Sequence, residues 1–258
     1  MKTLGILGGM GAEATSLFYK KLIDKTPASS DQSHIPTVMI NQTTLPDRSP
    51  YILSGQLDPL GKMIYDIALK IQNAGADYIV MPCNTVHVFL PYLDTLKIPI
   101  IDMIQETVAD IKRKNNKSIG ILGTTATIKS NLYQNKLSEA GIDSILPDSL
   151  HQDIVMDIIF DVKAGKSKDI ASNKLHTVID HLREQQVDCI LLGCTELPLL
   201  VTEISHITLC DPLDILATAC IDYSLQKVSL PEKSLDITTT NMIPLTPTVI
   251  EEKSIQLN

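Results

Sequence analysis

The chain has 258 residues, of which 44 % are hydrophobic, and this is enough to build one large or two ordinary domains with a proper core. The formal net charge is −8 and no basic block occurs, so nucleic acid and anionic membranes are poor partner candidates. No apolar run approaches the roughly 20 residues of a membrane-spanning helix. Five cysteines, an odd number, and no recognisable signal segment predict free thiols in a reducing cytoplasm.

Strand-like and helical patterns alternate along the chain. Strands are predicted at residues 3–7, 37–41, 78–81, 98–101, 118–122, 189–192 and 207–209. Helices are predicted at residues 12–24, 60–73, 86–93, 104–114, 127–140, 154–164, 170–185 and 213–225. Such alternation is typical of βαβ units with parallel sheets. Residues 31–35 and 43–56 are predicted to be polar, proline-containing loops, a kind that often carries specificity.

Two motifs occur twice at nearly the same offset. The segment GILGG that begins at Gly5 returns as GILGT at Gly120, 115 residues later. An acidic residue and an apolar run precede both Cys83 and Cys194, which are 111 residues apart. Two motifs at almost one offset indicate an internal duplication, and hence an α/β protein of two similar lobes with a site between them.

The repeat also predicts where the lobes begin and end. We expect residues 1–101, completed by residues 211–225, to form the first lobe, and residues 102–210 to form the second. Residues 226–258 show neither a helical nor an alternating period, so we expect a C-terminal extension of low order.

The five cysteines fall into two classes. Cys83 and Cys194 stand just past the carboxyl ends of predicted strands, where open α/β sheets bind their ligands. Each precedes a predicted helix start, whose amides and dipole lower a thiol pKa, and we expect both thiols to be partly exposed in a cleft. Cys189 and Cys220 lie inside apolar elements and are interpreted as inert core residues, and Cys210 as structural.

A histidine lies close to the first of these cysteines in the sequence. His87 follows Cys83 by four residues, which would suit a Cys–His nucleophile, but the second copy of the motif has Leu197-Pro198 in that region. We therefore favour a supporting or structural role for His87. The chain contains no C-x-x-C motif, and no metal site is predicted.

The glycine loop and two basic residues leave alternatives open. The segment from Gly9 to Ala14 fits the G-x-G-x-x-A form of the dinucleotide fingerprint, but the second strand ends in the neutral Asn41. The loop then either binds an anion or substrate through its amides or forms only a tight turn. Arg48 and Lys163 could clamp a carboxylate or lie on the solvated surface.

Taken together, these segments resemble the aspartate/glutamate racemase family, in particular its aspartate racemase-like branch. The similar segments are residues 8–15, 46–48, 81–87 and 192–200, spread over residues 3–225. The resemblance implies two α/β lobes, each with a parallel sheet flanked by helices, related by a pseudo-two-fold axis with the active site in the cleft. It further implies racemisation of aspartate, and possibly of glutamate or other amino acids, without a cofactor, in a protein that is often a homodimer.

The resemblance also implies roles for individual residues. Cys83 and Cys194 become the two catalytic acid/bases, and Arg48 and Lys163 the pair that binds a side-chain carboxylate. The other positions assigned to substrate binding are Met10, Gly11, Asn84, Thr85, Thr124, Thr125, Thr127, Thr195 and Glu196. Two alternatives remain open, namely a related cysteine-dependent isomerase or decarboxylase acting on a small dicarboxylate, and an amino-acid-binding protein without turnover.

Overall fold

The strands form two separate parallel sheets in the computed structural model, which describes residues 1–201 and 204–231. The first sheet has the order β2-β1-β3 and consists of β1 (Leu4–Gly8), β2 (Thr37–Asn41) and β3 (Tyr78–Val80). The second has the order β5-β4-β6-β7 and consists of β4 (Ser118–Gly123), β5 (Asp143–Ile145), β6 (Cys189–Gly193) and β7 (Thr208–Cys210). The repeated glycine strands β1 and β4 take equivalent places, as do β3 and β6, which lead to the two cysteines. The expected α/β architecture of two similar lobes is therefore confirmed.

Helices connect and cover the strands. The α-helices of the described residues are α1 (Ala12–Lys25), α2 (Arg48–Ser54), α3 (Asp58–Asn73), α4 (Met103–Arg113), α5 (Thr125–Lys129), α6 (Leu132–Glu139), α7 (Ser149–Lys163), α8 (Lys168–Glu184) and α9 (Pro212–Ser224). Shorter 3₁₀ segments span Asp31–Ser33, Thr85–Leu93 and Leu197–Leu199. Within these ranges, none of the helices combines the length and the hydropathy of a bilayer span.

The strands β1, β3, β4 and β6 are covered on both faces, and alternate residues of each strand point to opposite sides. In the first sheet, Leu7 and Ile79 pack against α3, whereas Leu4 and Ile6 pack against α1 and α9. In the second sheet, one face packs against α7 and α8 and the other against α4 and α6. Because α9 adds its apolar side chains to the core of the first sheet, we propose that residues 211–225 complete the first lobe.

Side-chain caps fix the starts of several helices near the strand ends. Asp47, Asp102 and Asp211 each accept a hydrogen bond from a backbone N–H in the first turn of α2, α4 and α9, respectively. Thr124 caps α5 in the same way, with its Oγ1 3.1 Å from the Thr127 N. These caps satisfy otherwise free amides and hold the first turns in place.

The structure corrects several sequence-based boundaries. The predicted loop 43–56 contains helix α2, because Asp47 caps it and Pro50 falls in its first turn, where proline is tolerated. The predicted helix 127–140 is broken between α5 and α6 at Asn131, whose φ of 52° is left-handed. The predicted strand 98–101 contributes only a bridge between Ile79 and Ile100. Strand β5 was not predicted.

Most of the expected C-terminal extension lies outside the described residues. The structure describes residues 226–231 of the predicted segment 226–258, and residues 232–258 are beyond it.

Candidate active site

The carboxyl ends of β1, β3, β4 and β6 lead into one cavity between the two lobes. Its volume is about 260 Å³ including the opening to solvent. The cavity is lined by Met10, Asp47, Arg48, Ser49, Cys83, Asn84, Thr85, Thr124, Lys163, Cys194, Thr195 and Glu196. Both repeated cysteines therefore reach the same space, one from each lobe, as expected for ligand sites at the ends of parallel strands.

Both thiols of the cavity are more buried than the sequence suggests. Cys83 is 4 % exposed and Cys194 is 5 % exposed, so the expectation of partly exposed thiols is wrong. The cause is packing, since Cys83 belongs to the apolar cluster around α3 and Cys194 to the cluster around α7 and α8. Cys189 and Cys220 are buried too, but they lie away from the cavity lining.

Cys194 donates a hydrogen bond to a buried carboxylate. Its Sγ lies 2.9 Å from Oε2 of Glu196, which is only 4 % exposed. Burial and the charge of Glu196 raise the pKa of the Cys194 thiol well above its ordinary value, although Lys163 opposes this. The expected lowering of the pKa by a helix start is wrong for Cys194, because the following 3₁₀ turn has only three residues and adds little dipole. Cys194 therefore carries its proton at neutral pH.

Arg48 is buried at the first position of α2 instead of lying on the solvated surface. Its Nη2 donates to the Met10 carbonyl at 3.0 Å and its Nη1 to the Pro46 carbonyl at 3.2 Å. Burial lowers the pKa of Arg48, but the neighbouring Cys83, Asp47 and Glu196 outweigh it and raise that pKa. The Nε has no hydrogen-bond partner among the described residues. A permanent positive charge with a free donor thus stands next to Cys83.

Lys163, the last residue of α7, reaches the same cavity from the second lobe. Its Nζ is 3.4 Å from Oδ2 of Asp47, and its side chain is 26 % exposed. Burial lowers the pKa of Lys163, whereas Cys194, Glu196 and Asp47 raise it, with a net upward shift. Arg48 and Lys163 thus line the same cavity.

Asn84 supplies a buried donor that the protein leaves free. Its Oδ1 accepts a hydrogen bond from the Tyr133 hydroxyl, which belongs to the second lobe. Its Nδ2 has no partner within residues 1–201 and 204–231, although Asn84 is only 1 % exposed. A buried unpaired amide costs free energy, and an acceptor bound in the cavity would remove that cost.

Three threonine hydroxyls meet where the two lobes touch. The Oγ1 of Thr85 lies 3.2 Å from that of Thr124 and 3.0 Å from that of Thr127, and the last two are 2.9 Å apart. Thr85 and Thr124 line the cavity, whereas Thr127 is fully buried behind them. The cluster orients hydroxyl donors of both lobes toward one space.

Two further predicted residues stand beside the cavity and do not line it. The backbone N–H of Thr125 lies 3.2 Å from the Met156 sulfur. Gly11 is the residue before α1, and a Cβ built there would be 3.0 Å from Oε1 of Glu196. Gly9, with φ of 93°, would bring a Cβ to 2.4 Å from the Gln42 backbone, so close packing explains this glycine.

His87 holds backbone groups and offers no free nitrogen to Cys83. Its Nε2 accepts the Met103 N–H at 3.1 Å, so Nδ1 is the protonated nitrogen and donates to the Cys83 carbonyl at 2.8 Å. Burial lowers the pKa of His87, which keeps the ring neutral. The structure therefore places His87 as a supporting residue.

Sequence reasoning missed two kinds of residue. Asp47 and Ser49 line the cavity, and the Asp-x-Ser-Pro pattern of a capped helix start could have identified them. Within the described ranges, the cluster of three potential metal ligands lies elsewhere, at Asp148, His151 and His181.

Known proteins resemble this chain over most of its length. The family profile for Asp/Glu/Hydantoin racemase matches residues 7–220. The broad specificity amino-acid racemase RacX of Bacillus subtilis (strain 168) is 30 % identical over 223 residues, 84 % of this chain and 96 % of the relative. The structure of Picrophilus torridus aspartate racemase is 33 % identical and has a TM-score of 0.79, covering 87 % of this chain and 94 % of that one. The structure of glutamate racemase from Aquifex pyrophilus is 23 % identical and has a TM-score of 0.59. The match covers 86 % of this chain and 84 % of the Aquifex pyrophilus chain, and it shows a shared fold.

Proposed function

The chain belongs to the Asp/Glu/Hydantoin racemase family, and we propose that it interconverts L- and D-aspartate by a cofactor-independent, two-cysteine proton transfer at Cα. One observation carries this proposal. Cys83 and Cys194 come from equivalent places in the two lobes and line one cavity. A binding protein needs no such pair of thiols, whereas racemisation needs one acid/base group on each face of the substrate.

The surroundings of the two thiols support different roles, one thiol as the acid and the other as the base. Cys194, which keeps its proton and donates a hydrogen bond to Glu196, is assigned as the acid. Cys83, next to the guanidinium of Arg48, is assigned as the base. The thiolate breaks the Cα–H bond and takes the proton, and the thiol opposite then forms the new Cα–H bond. The reverse reaction exchanges the two roles.

The carbanion formed at Cα passes its charge into the α-carboxylate, which must be stabilised by fixed donors. The free Nδ2 of Asn84 and the hydroxyls of Thr85 and Thr124 are placed for this task. Tyr133 holds the Asn84 amide in orientation, so these donors are organised before the substrate arrives.

The two cations support an acidic substrate. Lys163 is joined to Asp47 only by a contact of 3.4 Å, and the Arg48 Nε is free among the described residues. A side-chain carboxylate of the substrate can therefore pair with both cations. Aspartate is the substrate of the named Picrophilus torridus relative, whereas the Bacillus subtilis relative is named for broad specificity. We propose aspartate first, with glutamate and other amino acids as further substrates, in a cytoplasmic protein that forms a homodimer.

A chiral assay of the purified protein tests the proposal. L-aspartate, L-glutamate and neutral amino acids are incubated without added cofactor, and both enantiomers are separated by chiral chromatography. D-aspartate should form and approach a racemic mixture. Thermal stabilisation by aspartate without any D-isomer would instead favour a binding protein. Loss of aspartate to an achiral or decarboxylated product would favour the related isomerase or decarboxylase.

A further inference from the structure

A second group of ionisable side chains gathers on the second lobe, outside the cavity lining. Asp148 is the residue before α7, His151 lies in the first turn of α7, and His181 lies in the last turn of α8. One ligand atom from each residue lies within 4.8 Å of the other two. The cluster therefore joins the beginning of α7 to the end of α8.

Both imidazoles of this cluster lie near one carboxylate, and the His181 Nε2 also lies 3.1 Å from the Gln185 Nε2. His151 Nδ1 is 2.8 Å from Asp148 Oδ1, and His181 Nε2 is 3.6 Å from Asp148 Oδ2. Oδ1 also accepts the His151 N–H at 2.9 Å and so caps α7, which leaves Oδ2 for another partner. The histidine side chains are 18 % and 25 % exposed, so solvent and ions can reach them.

We propose that Asp148, His151 and His181 form a site for a divalent transition-metal ion such as Zn²⁺ or Co²⁺. Two imidazole nitrogens and one carboxylate oxygen are a ligand set that these ions take in proteins. Ligand atoms about 2.0–2.1 Å from a tetrahedral zinc lie roughly 3.4 Å from one another. The nitrogens of His151 and His181 lie 2.8 and 3.6 Å from Oδ1 and Oδ2 of Asp148, respectively, and one ligand atom of each residue lies within 4.8 Å of the others, so small side-chain movements bring them to that spacing.

Binding requires a rotation of the histidine rings. The two rings are stacked with centroids 3.8 Å apart and planes 9° from parallel. A metal lies in the plane of each imidazole that ligates it, so two stacked rings must tilt toward a common point. Their partial exposure leaves room for this rotation. An ion bound at Nδ1 of His151 requires the tautomer that carries its proton on Nε2, so the Nδ1 proton passes to solvent while Nε2 takes one up.

The expected consequence is structural. An ion at this site would cross-link the first turn of α7 to the last turn of α8. Lys163 lies 12 residues beyond His151 on α7, about 18 Å away at 1.5 Å per residue, so the ion would stay remote from the cavity. Binding to the folded state alone stabilises it, and saturation should raise Tm by about 5 °C.

Cobalt titration of the full chain, followed by visible absorption and by Tm, tests the site. We expect one Co²⁺ per chain with nitrogen and oxygen ligation and no sulfur-to-cobalt charge-transfer band. His151→Ala and His181→Ala should each weaken binding by at least about tenfold and abolish the rise in Tm. His176→Ala is the matched control, because His176 is exposed on the same helix α8 and should bind as the wild type does.

Three outcomes would overturn the proposal. The first is no binding up to millimolar Co²⁺. The second is equal binding by His151→Ala, His181→Ala and wild type. The third is a thiolate charge-transfer band that disappears in a Cys83→Ser/Cys194→Ser variant, which would place the ion at the cavity cysteines.

Discussion

At the scale of single residues, the two cavity thiols differ in what surrounds them. Cys194 donates to the buried carboxylate of Glu196, whereas Cys83 lies beside the cation of Arg48. The proposed mechanism requires such an asymmetric pair, in which one thiol gives a proton while the other takes one.

Replacing either thiol should stop racemisation. Cys83→Ser or Cys194→Ser should lower the rate by on the order of 10²–10⁴-fold, the usual contribution of a general acid or base. The double variant should lose little more, because the two thiols act as one unit. Circular dichroism of the product mixture measures the rate, and Cys189→Ala is the control, since Cys189 is buried away from the cavity lining. A single variant with near wild-type activity would contradict the two-base assignment.

Removing the charge of Glu196 should make Cys194 more acidic. Burial and the Glu196 carboxylate raise the pKa of this thiol, so Glu196→Gln removes one of the two causes. The thiolate form should then appear at lower pH than in the wild type. The rate of Cys194 alkylation by iodoacetamide, mapped by peptide mass across pH 6–10, measures this shift. Glu13 is an exposed carboxylate outside the cavity lining, so the control variant Glu13→Gln should leave the alkylation profile unchanged. An unchanged profile in Glu196→Gln would contradict the effect of Glu196 on the pKa of Cys194.

Lys163 should discriminate acidic from neutral substrates. A hydrogen bond to a charged group contributes about 1.5–3 kcal/mol, so Lys163→Met should raise KM for aspartate by roughly 10–100-fold. A neutral amino acid, if turned over, should be affected much less. Arg48→Ala is a less selective test, because it also removes two hydrogen bonds to backbone carbonyls. Equal effects of Lys163→Met on both substrate classes would mean that Lys163 does not bind the side chain.

At the scale of elements, the cavity depends on contacts that cross between the lobes. Tyr133 on α6 donates to Asn84, which follows β3, and Thr85 meets Thr124 and Thr127 of the second lobe. All five side chains are buried, so these bonds are shielded from competing water. The polar groups of Asn84, Thr85 and Thr124 that line the cavity are thereby fixed relative to both sheets.

Tyr133→Phe measures how much the hydrogen bond from Tyr133 to Asn84 contributes to stability and to activity. Losing the hydroxyl leaves the Asn84 Oδ1 without its donor, and we expect a destabilisation of about 1–3 kcal/mol. The rate should fall as well, because the Asn84 amide loses its orientation. Thermal unfolding and kcat/KM are the measurements, and Tyr19→Phe on α1 serves as a control at a partly buried tyrosine. If stability falls while kcat/KM stays unchanged, Asn84 does not hold the substrate.

Most of the helices, strands and cavity residues could be predicted from the sequence, but the burial of the cavity side chains could not. The cysteine and glycine motifs identified the strand ends, because apolar runs followed by glycine or cysteine have a clear local pattern. Arg48 is buried because it lies in helix α2. That helix was not predicted, since its capping residue Asp47 stands in a proline-containing segment that is typical of a loop. The raised pKa of Cys194 depends on a carboxylate two residues away and on tertiary packing, which no local pattern encodes.

At the scale of the whole molecule, the two similar lobes each contribute one cysteine, Cys83 or Cys194, to the same cavity. The second lobe contacts the first near this cavity through the exposed pairs Lys163–Asp47 and Lys168–Glu13. Exposed ion pairs contribute only about 0–1 kcal/mol each. In the proposed mechanism, the two thiols of this cavity face opposite sides of Cα.

Racemisation in deuterium oxide tests the two-base claim most directly. L-aspartate is incubated with the protein, and both enantiomers are analysed at early times by chiral separation and mass spectrometry. Two bases on opposite faces predict that D-aspartate carries deuterium at Cα while the remaining L-aspartate keeps its protium. Deuterium appearing in L-aspartate as fast as D-aspartate forms, or the absence of any labelled D-aspartate, would contradict proton transfer between Cys83 and Cys194.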